Sequence, residues 1–349
     1  MSRLQQGLKN FGWPRLIIGM FLISLFFVGS FVGISPITSL SDVINRFGMN
    51  GVLVLSMVPM IQAGCGLNFG LPIGIVAGLL GAVLSLEFHL TGLPGILAAM
   101  AMATVFGVIF GLGYSFLLNR VKGDEMIIAT YVGYSFVYLM CFFWVTLPFK
   151  NPSSVQGFKG EGLRATISVE KYWEKAISHI LEIRIGSRLL IPTGMLLFFA
   201  LMCLIVWLFF KTKTGTALTA VGSNPEYARA AGININKMRT IAVVFSSVLA
   251  AVGIIISQQS FGFIQLFNAP LAFSFPAVAA ILLGGASINK ASIPNVIIGT
   301  LLFQGILTMT PSVINRLINI DASEVLRIIV TNGMIVYALT KRERRDQNA

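Results

Sequence analysis

The sequence predicts an all-α integral membrane protein with about ten transmembrane helices. Hydrophobic residues make up 56% of the 349-residue chain and charged residues only 11%, whereas a soluble domain carries about 25% charged residues. The mean hydropathy of +0.84 points the same way. Apolar runs of about 20 residues, the length that crosses a bilayer, recur from one end of the chain to the other. We therefore expect the lipid bilayer to cover most of the lateral surface.

Seven apolar runs are continuous and long enough to span a membrane, at 16–34, 93–117, 126–147, 189–210, 240–257, 292–310 and 325–340. Two further regions are apolar but broken. The first, 51–86, is interrupted by Gly, Asn and Pro at 64–72, and the second, 271–286, follows a polar, Phe-rich stretch. Dividing 51–86 into two helices completes the predicted set of spans, with broken or re-entrant segments expected near 64–72 and 258–275.

Basic residues orient the chain, because Lys and Arg concentrate on the cytoplasmic side of multi-pass proteins. Arg3, Lys9 and Arg15 precede the first run, and no small-residue cleavage site follows it, so this run is predicted to be an uncleaved span. An even number of spans then places the basic C-terminal segment 341–345 on the same side. The chain is predicted to lie in a bacterial cell membrane as one transmembrane domain with both termini cytoplasmic.

The segment 148–188 is predicted to lie outside the cell, although it carries seven basic and four acidic residues. Its length weakens the charge rule, which applies most strongly close to the spans. Apolar residues at near-helical spacing within 167–182 predict a short amphipathic helix on the outer surface. A plain connecting loop with a lipid-facing Trp173 is an equally open interpretation.

Charge and cysteine usage exclude several function classes. The net charge of +12 comes from basic residues between apolar runs and at both ends, and not from one polar face, so no nucleic-acid partner is expected. The cysteines Cys65, Cys141 and Cys203 lack metal-ligand spacing, and His89 and His179 lie far apart. No metal site is therefore predicted.

Catalytic and nucleotide-binding motifs are also missing from the sequence. It contains no phosphate-binding Gly-x-x-x-x-Gly-Lys-Ser/Thr loop and no credible nucleophile–base arrangement. No Asp or Glu lies in the middle of a predicted span, which disfavours a proton-coupled carrier. We predict a membrane protein that is not an enzyme and holds no cofactor of its own.

Uncharged polar residues within or beside the apolar runs are candidates for a translocation path. Each costs free energy in lipid unless it faces protein or a water-filled path. Helix–helix hydrogen bonding, worth about 0.6 kcal/mol each, is the alternative explanation. Asn and Gln together with Tyr also suit a neutral, hydroxyl-rich solute. The candidates are Gln62, Asn68, Tyr131, Tyr134, Gln258, Gln304 and Asn332.

The segment 211–239, predicted to be cytoplasmic, contains a strongly signalled short helix at 225–231. Asn224 is a favourable N-cap, Pro225 fits the first helical position, and Glu226 complements the positive end of the helix dipole. Gly232 is placed to end the helix in a left-handed turn. So short a helix is unstable alone, so it must pack against the spans or against a partner.

Residues 220–235 read AVGSNPEYARAAGINI and closely resemble the coupling segment of ABC importer permeases. The family in question includes ribose-type sugar, nucleoside and branched-chain amino acid permeases. Residues 64–74 resemble its glycine-rich break after the second span, and 275–287 resemble its late Ala-rich segment ending in Gly-Gly. The resemblance covers about residues 45–340, and 220–235 is its most specific part.

Two features depart from the sugar permeases of this family. Their break usually contains an acid, in a Gly-Gly-Ile-Asp-Leu-Ser-type sequence, where this chain has GCGLNF at 64–69. Residues 123–130 and the long outer loop look more like the nucleoside permeases. The resemblance therefore leaves a monosaccharide and a nucleoside as alternative solutes.

The resemblance implies a permease subunit powered by a separate ABC ATPase dimer, which uses the ATP. It also implies a second permease chain, identical or homologous, and an extracytoplasmic solute-binding protein. Branched-chain amino acids, or another small metabolite such as a vitamin, remain alternative solutes, and a free-standing channel or facilitator is the alternative class. The residues expected to couple to the ATPase are Asn224, Pro225, Glu226, Tyr227, Ala228, Arg229 and Gly232.

Overall fold

The computed structural model describes residues 13–121, 125–155, 162–178, 180, 182–185, 189–318, 325, 328–329 and 332–333. Helices dominate this part of the chain, with a few three-residue strands. Before the long loop lie α1 (Trp13–Phe31), α2 (Pro36–Leu55), α3 (Met57–Gln62), α4 (Leu71–Glu87), α5 (Gly92–Arg120) and α6 (Glu125–Thr146). Then follow β1 (Thr166–Ser168), β2 (Ile183–Ile185), β3 (Leu189–Ile191), α7 (Thr193–Lys211), α8 (Lys213–Ser223), α9 (Pro225–Ala230), α10 (Ile235–Phe261), β4 (Phe263–Gln265), α11 (Ala269–Leu283) and α12 (Ile293–Ile318).

The described helices match a multi-pass membrane protein. Six helical segments in these ranges are long and apolar enough to cross a membrane: Pro36–Gln62, Gly92–Arg120, Glu125–Thr146, Thr193–Lys211, Ile235–Phe261 and Ile293–Leu317. Three shorter apolar helices accompany them, Arg15–Phe31, Leu71–Glu87 and Ala269–Leu283. The predicted all-α membrane fold is confirmed. The last predicted span, 325–340, lies almost entirely outside the described residues.

The second span begins earlier than the sequence predicted. Its helix starts at Pro36 and not near residue 51, because α2 and α3 form one apolar segment with a single turn residue, Ser56, between them. The charged residues Asp42 and Arg46 lower the hydropathy of its first turns, so the sequence analysis placed the start of this span too late. Asp42 consequently lies inside a span, although in its first two turns and not at its middle.

Both predicted breaks are present. Residues 63–70 separate α3 from α4 without helical structure. The second break is shorter than predicted, since α10 continues to Phe261 and α11 starts at Ala269, which leaves β4 and two turns between them. Gly and Asn residues at both breaks favour turns over helix.

Helix α4 lies at the centre of the bundle. All of its residues are buried except Leu84 and Glu87, and it packs mainly against α5 and α10, which also pack against each other. Helices α6 and α7 lie at the periphery instead. They expose large apolar side chains such as Ile127, Phe142 and Leu201, which is what a lipid-facing surface requires.

The long loop folds back onto the bundle, and the predicted amphipathic helix within it is not formed. β1 pairs antiparallel with β4, with Ile167 opposite Ile264, and the described residues from 170 to 178 form turns. The apolar spacing that suggested a helix instead reflects burial of Val169, Trp173 and Ile177 against the helices. A lipid-facing Trp173 is also wrong, because this side chain is 1% exposed.

The loop ends in a hairpin that shortens the following span. β2 pairs with β3, with Ile183 opposite Ile191, so α7 starts at Thr193 and not at 189. Ser41 Oγ on α2 donates to Leu190 O at 2.6 Å, which fixes the hairpin to the start of the second span. We call this end of the bundle the long-loop end, and the opposite end, with α8 and α9, the coupling end.

Candidate coupling and translocation site

Residues 211–239 fold into two consecutive short helices at the coupling end. Thr212 caps α8, since its Oγ1 accepts a hydrogen bond from Gly215 N at 3.2 Å and satisfies one free N–H of the first turn. The sequence analysis did not predict α8, because its Thr- and Gly-rich residues are weak helix formers. α9 follows directly after the single residue Asn224.

Helix α9 starts as the sequence predicted. Asn224 has extended backbone geometry, and its Oδ1 accepts a hydrogen bond from Tyr227 N at 3.0 Å. Pro225 occupies the first helical position and Glu226 the first turn. The N-terminal half of this helix is therefore determined by local side-chain chemistry.

Its C-terminus is equally well determined. Gly232 has a φ of +78°, which permits the left-handed turn that ends the helix. Ile233 N donates to Ala228 O at 2.9 Å, and Gly232 N donates to Arg229 O at 3.0 Å. This pair of hydrogen bonds is a Schellman motif, and the helix ends at Ala230, one residue before the predicted end.

Helix α9 is largely exposed and is held to the rest of the bundle by one buried side chain. We refer to it as the exposed knob. Ala228 is its only buried residue and packs in a cluster with Val221 of α8 and Met238 of α10. The other residues of α9 are exposed, including 70% of Tyr227. Such a surface, short, capped at both ends and largely uncovered, can enter a cavity of another protein.

Helix α8 contacts the first break through backbone atoms. The Cα of Gly222 lies 3.0 Å from the position that a Cβ on Gly64 would take, and a Cβ on Gly222 would overlap the carbonyl oxygen of Gln62. Gln62, a candidate path residue, donates from Nε2 to Ala291 O before α12. The structure therefore places Gln62 in helix packing at the coupling end.

Asn68 lies at the centre of a buried polar cluster. Its Nδ2 donates to Ser246 Oγ of α10 at 2.9 Å, and its Oδ1 accepts from Tyr114 OH of α5 at 3.2 Å. Ser246 Oγ in turn donates to Ser56 O at 2.6 Å, between α2 and α3. All four residues are at most 2% exposed. The sequence analysis missed Tyr114 and Ser246, since single Tyr and Ser residues in apolar runs are too common to select.

Arg239 forms a second buried interaction that the sequence analysis missed. Arg239 was predicted to lie in the cytoplasmic loop 211–239. In the structure it lies in α10 and is 7% exposed. Its Nε donates to Cys65 Sγ at 3.3 Å, and its guanidinium pairs with the carboxylate of Glu125. No sequence spacing links these three residues, so only the folded chain shows the contact.

Two other path candidates lie inside the bundle. Gln258 is 1% exposed, and its Oε1 accepts from Gln265 N at 3.3 Å, while its Nε2 has no hydrogen-bond partner within the described ranges. Gln304 on α12 is 5% exposed. Ser246 and Gln258 both lie on α10, about 18 Å apart along its axis. Buried neutral polar groups thus occur at two positions along α10, near its middle and near its C-terminus.

The remaining candidates are exposed or only partly buried. Tyr131 is 72% exposed and Asn332 is also exposed. Tyr134 is half-buried, with its ring centroid 6.3 Å from that of Phe275. The structure does not bring these three residues to the Asn68 cluster, so their place in a path within one chain remains a prediction.

Comparisons with known proteins identify relatives across most of the chain. Residues 16–339 match the family described as branched-chain amino acid transport system, permease component. The ribose import permease protein RbsC of Escherichia coli is 24% identical over 272 residues, covering 76% of this chain and 75% of that protein. The autoinducer 2 import system permease protein LsrD of Photorhabdus luminescens is 24% identical over 300 residues, covering 84% and 81%.

A shorter match is closer in sequence. The autoinducer 2 import system permease protein LsrC of Shigella flexneri is 31% identical over 157 residues, covering 43% of this chain and 45% of that protein. Among solved structures, a metal-chelate type ABC transporter in an inward-facing conformation is similar at a TM-score of 0.46 and 14% identity, covering 86% and 85% of the two chains.

Proposed function

This chain belongs to the permease-component family of branched-chain amino acid transport systems, and we propose that it imports a monosaccharide or nucleoside with energy from a separate ATPase. In this proposal the chain is the membrane-spanning subunit of an ABC importer. Relatives named as permeases for ribose and for autoinducer 2 support an importer of small polar solutes. ATP binds to the partner ATPase and not to this chain.

The observation that carries the proposal is helix α9. A six-residue helix is too short to be stable alone, yet this one is capped at both ends and covered at only one residue, Ala228. A channel or facilitator has no need for a rigid knob of this kind. An ATPase that must transmit its closure to the membrane needs a compact surface to hold, and α9 supplies one.

The partners follow from this mechanism. An ATPase dimer offers two equivalent cavities, so two coupling helices are needed, and a second permease chain, identical or homologous, provides the other. An extracytoplasmic solute-binding protein delivers solute at the long-loop end. The coupling end, with α8 and α9, faces the cytoplasm in this arrangement.

The interior of the chain favours a neutral solute. The buried polar groups among the path candidates and their hydrogen-bond partners include Asn68 in the break, Tyr114 on α5, and Ser246 and Gln258 on α10. All of these groups are amides or hydroxyls. Such groups donate to and accept from sugar hydroxyls. A zwitterionic amino acid would bring two charges into this region, which costs more free energy in the membrane interior.

Reconstitution tests the proposal directly. The chain is co-expressed with an ABC ATPase and a solute-binding protein from the same genome, and uptake into proteoliposomes is measured with labelled ribose, adenosine and leucine. We expect ATP-dependent uptake of the pentose or the nucleoside. ATP-dependent uptake of leucine alone would favour the amino acid alternative, and equal uptake with and without ATP would favour a facilitator.

A further inference from the structure

The break at 63–70 contacts both parts of the candidate site. At one end Gly64 lies against Gly222 of α8, and at the other Asn68 joins the polar cluster of α5 and α10. Only three residues lie between Gly64 and Asn68, so at most about 14 Å of extended chain connects the two. Because this connection is short, we expect a displacement of Gly64 to move Asn68 as well.

The contact with α8 is suited to transmit force. Gly222 and Gly64 meet through backbone atoms, which cannot rotate out of the way as a long side chain can. Beside them, Leu218 of α8 is fully buried in one apolar cluster with Met60, Ala63 and Cys65. Close-packed interiors deform little, so α8 and the break should move together.

Helix α8 in turn is joined to the exposed knob. Val221 of α8 and Ala228 of α9 are both buried in the cluster that also contains Met238. A push on α9 therefore reaches α8 across one layer of side chains. The same push also reaches α10 through Met238, and α10 carries Ser246, the hydrogen-bond partner of Asn68. A variant at Gly222 therefore has to separate the route through α8 from the route through α10.

At the far end of the break, a shift of Asn68 would change the interior of the bundle. Both ends of its side-chain amide are used, one by Ser246 and one by Tyr114. Moving the amide away from these partners leaves their hydroxyl groups available to water or solute. The hydrogen bonds of Asn68 thus join the break to both α5 and α10 in the present conformation.

We propose that the break at 63–70 is the element that carries movement of α8 and α9 to Asn68, with Gly222 and Gly64 as its positioning residues. This inference rests on the proposed function. It adds a defined route from the ATPase contact to the interior: α9, α8, Gly222, Gly64 and the break. Asn68 is then the point at which ATPase closure alters the polar interior.

The native Cys65 reports movement of the break without any change in it. The complex is prepared with Cys141→Ala and Cys203→Ala, and the rate of Cys65 modification by N-ethylmaleimide is measured without nucleotide and after trapping with ATP and vanadate. Cys65 is 3% exposed here, so we expect the two rates to differ by about fivefold or more. Equal rates in a complex that transports with ATP would overturn the inference and leave the proposed function intact.

Gly222→Ala tests the route itself, and Gly113→Ala is its matched control. A Cβ on Gly222 overlaps the Gln62 carbonyl, whereas a Cβ on Gly113 meets nothing within 4 Å. We expect Gly222→Ala to keep ATP hydrolysis, to lower solute transported per ATP by roughly tenfold, and to abolish the nucleotide dependence of Cys65 modification. Gly113→Ala should change neither readout.

The outcomes of these experiments distinguish the proposed route through the break from the proposed transport function. A Gly222→Ala complex with normal transport per ATP and a normal Cys65 response would overturn the route through Gly222. Should that variant not assemble, the Cys65 response of the unaltered break still decides whether the break moves. Absence of ATP-dependent transport with the unaltered chain would contradict the proposed function instead.

Discussion

Arg239 of α10 and Glu125 at the start of α6 form an ion pair that is shielded from solvent, with side chains only 9% and 19% exposed. The same guanidinium donates to Cys65 in the break. One side chain thus connects three parts of the chain that are distant in sequence. Because α8 packs against the break and α9 packs against α10, this pair lies within the region through which coupling is proposed to pass.

Removing one partner of this pair should destabilise the protein. Glu125→Leu takes away the carboxylate that pairs with the buried Arg239 guanidinium, and breaking a buried pair in this way costs about 3–5 kcal/mol. The double variant Arg239→Met with Glu125→Leu removes both charges and should recover most of that loss. The measurement is the thermal unfolding midpoint of the purified chain in detergent. A single variant as stable as the wild type would contradict the prediction.

Trp173 should matter for the attachment of the long loop. Its side chain is 1% exposed, and its Nε1 donates to Ser85 Oγ of α4 at 3.0 Å. Trp173→Ala should cost about 3–5 kcal/mol and make the loop sensitive to protease added from its own side. Trp207→Ala is the control, because Trp207 is 50% exposed on α7. Equal protease resistance of the two variants would show that the loop does not depend on this anchor.

The contrast between α9 and the long loop shows what the sequence could predict. Helix α9 follows from Asn224, Pro225 and Gly232, whose effects are local and therefore readable from a short window. The segment around Trp173 has helical spacing, but β1 finds its partner in β4, almost a hundred residues later. A long-range pairing of this kind overrides local periodicity and leaves no local signal.

The candidate site likewise combines a residue that the sequence could indicate with residues that only the folded chain reveals. Asn68 could be selected because an amide inside an apolar region is costly without a partner. Its partners Ser246 and Tyr114 could not, since their role depends on which helices meet. Likewise, the sequence placed Arg239 in a charged loop, and only the packing of α10 against the break reveals that it is buried.

The two ends of the bundle should be accessible from opposite sides of the membrane. Lys171 and Ser223 are both exposed, one in the long loop and one at the end of α8. In a chain whose native cysteines are replaced by Ala, we expect Lys171→Cys to react with an impermeant thiol reagent added outside. Ser223→Cys should react only when the same reagent reaches the cytoplasmic side. Modification of both positions from one side would contradict the proposed topology.

Gly232 and Gly33 end their helices in the same way, which provides a matched pair of variants. Gly33 follows α1 with a φ of +82°, and Ile34 N donates to Gly29 O at 2.9 Å. Gly232 has a φ of +78°, and a Cβ on either glycine would meet no atom within 4 Å. A side chain at either position therefore brings backbone strain of roughly 1–2 kcal/mol without a steric clash.

Gly232→Val should impair coupling and leave solute recognition unchanged. The strain changes the turn that orients α9, so the knob no longer fits its ATPase cavity, while the interior around Asn68 is untouched. We expect the variant to insert, to bind the solute-binding protein, and to lose solute-stimulated ATP hydrolysis together with transport. Arg229→Glu should have a similar effect, because we expect the exposed Arg229 charge to pair with an acidic residue of that cavity. Hydrolysis is measured in proteoliposomes and normalised to the amount of inserted permease.

Gly33→Val separates coupling from stability in this experiment. It introduces the same kind of strain into the same hydrogen-bonding motif, but at the long-loop end, far from α9. Both variants should therefore lose a similar amount of thermal stability, and only Gly232→Val should lose stimulated hydrolysis. If α9 merely covered the ends of the spans, the two variants would insert less well but hydrolyse ATP normally once inserted. Full stimulation of inserted Gly232→Val would therefore exclude α9 as the coupling helix, because the strain at its C-terminus would then have no effect on the ATPase.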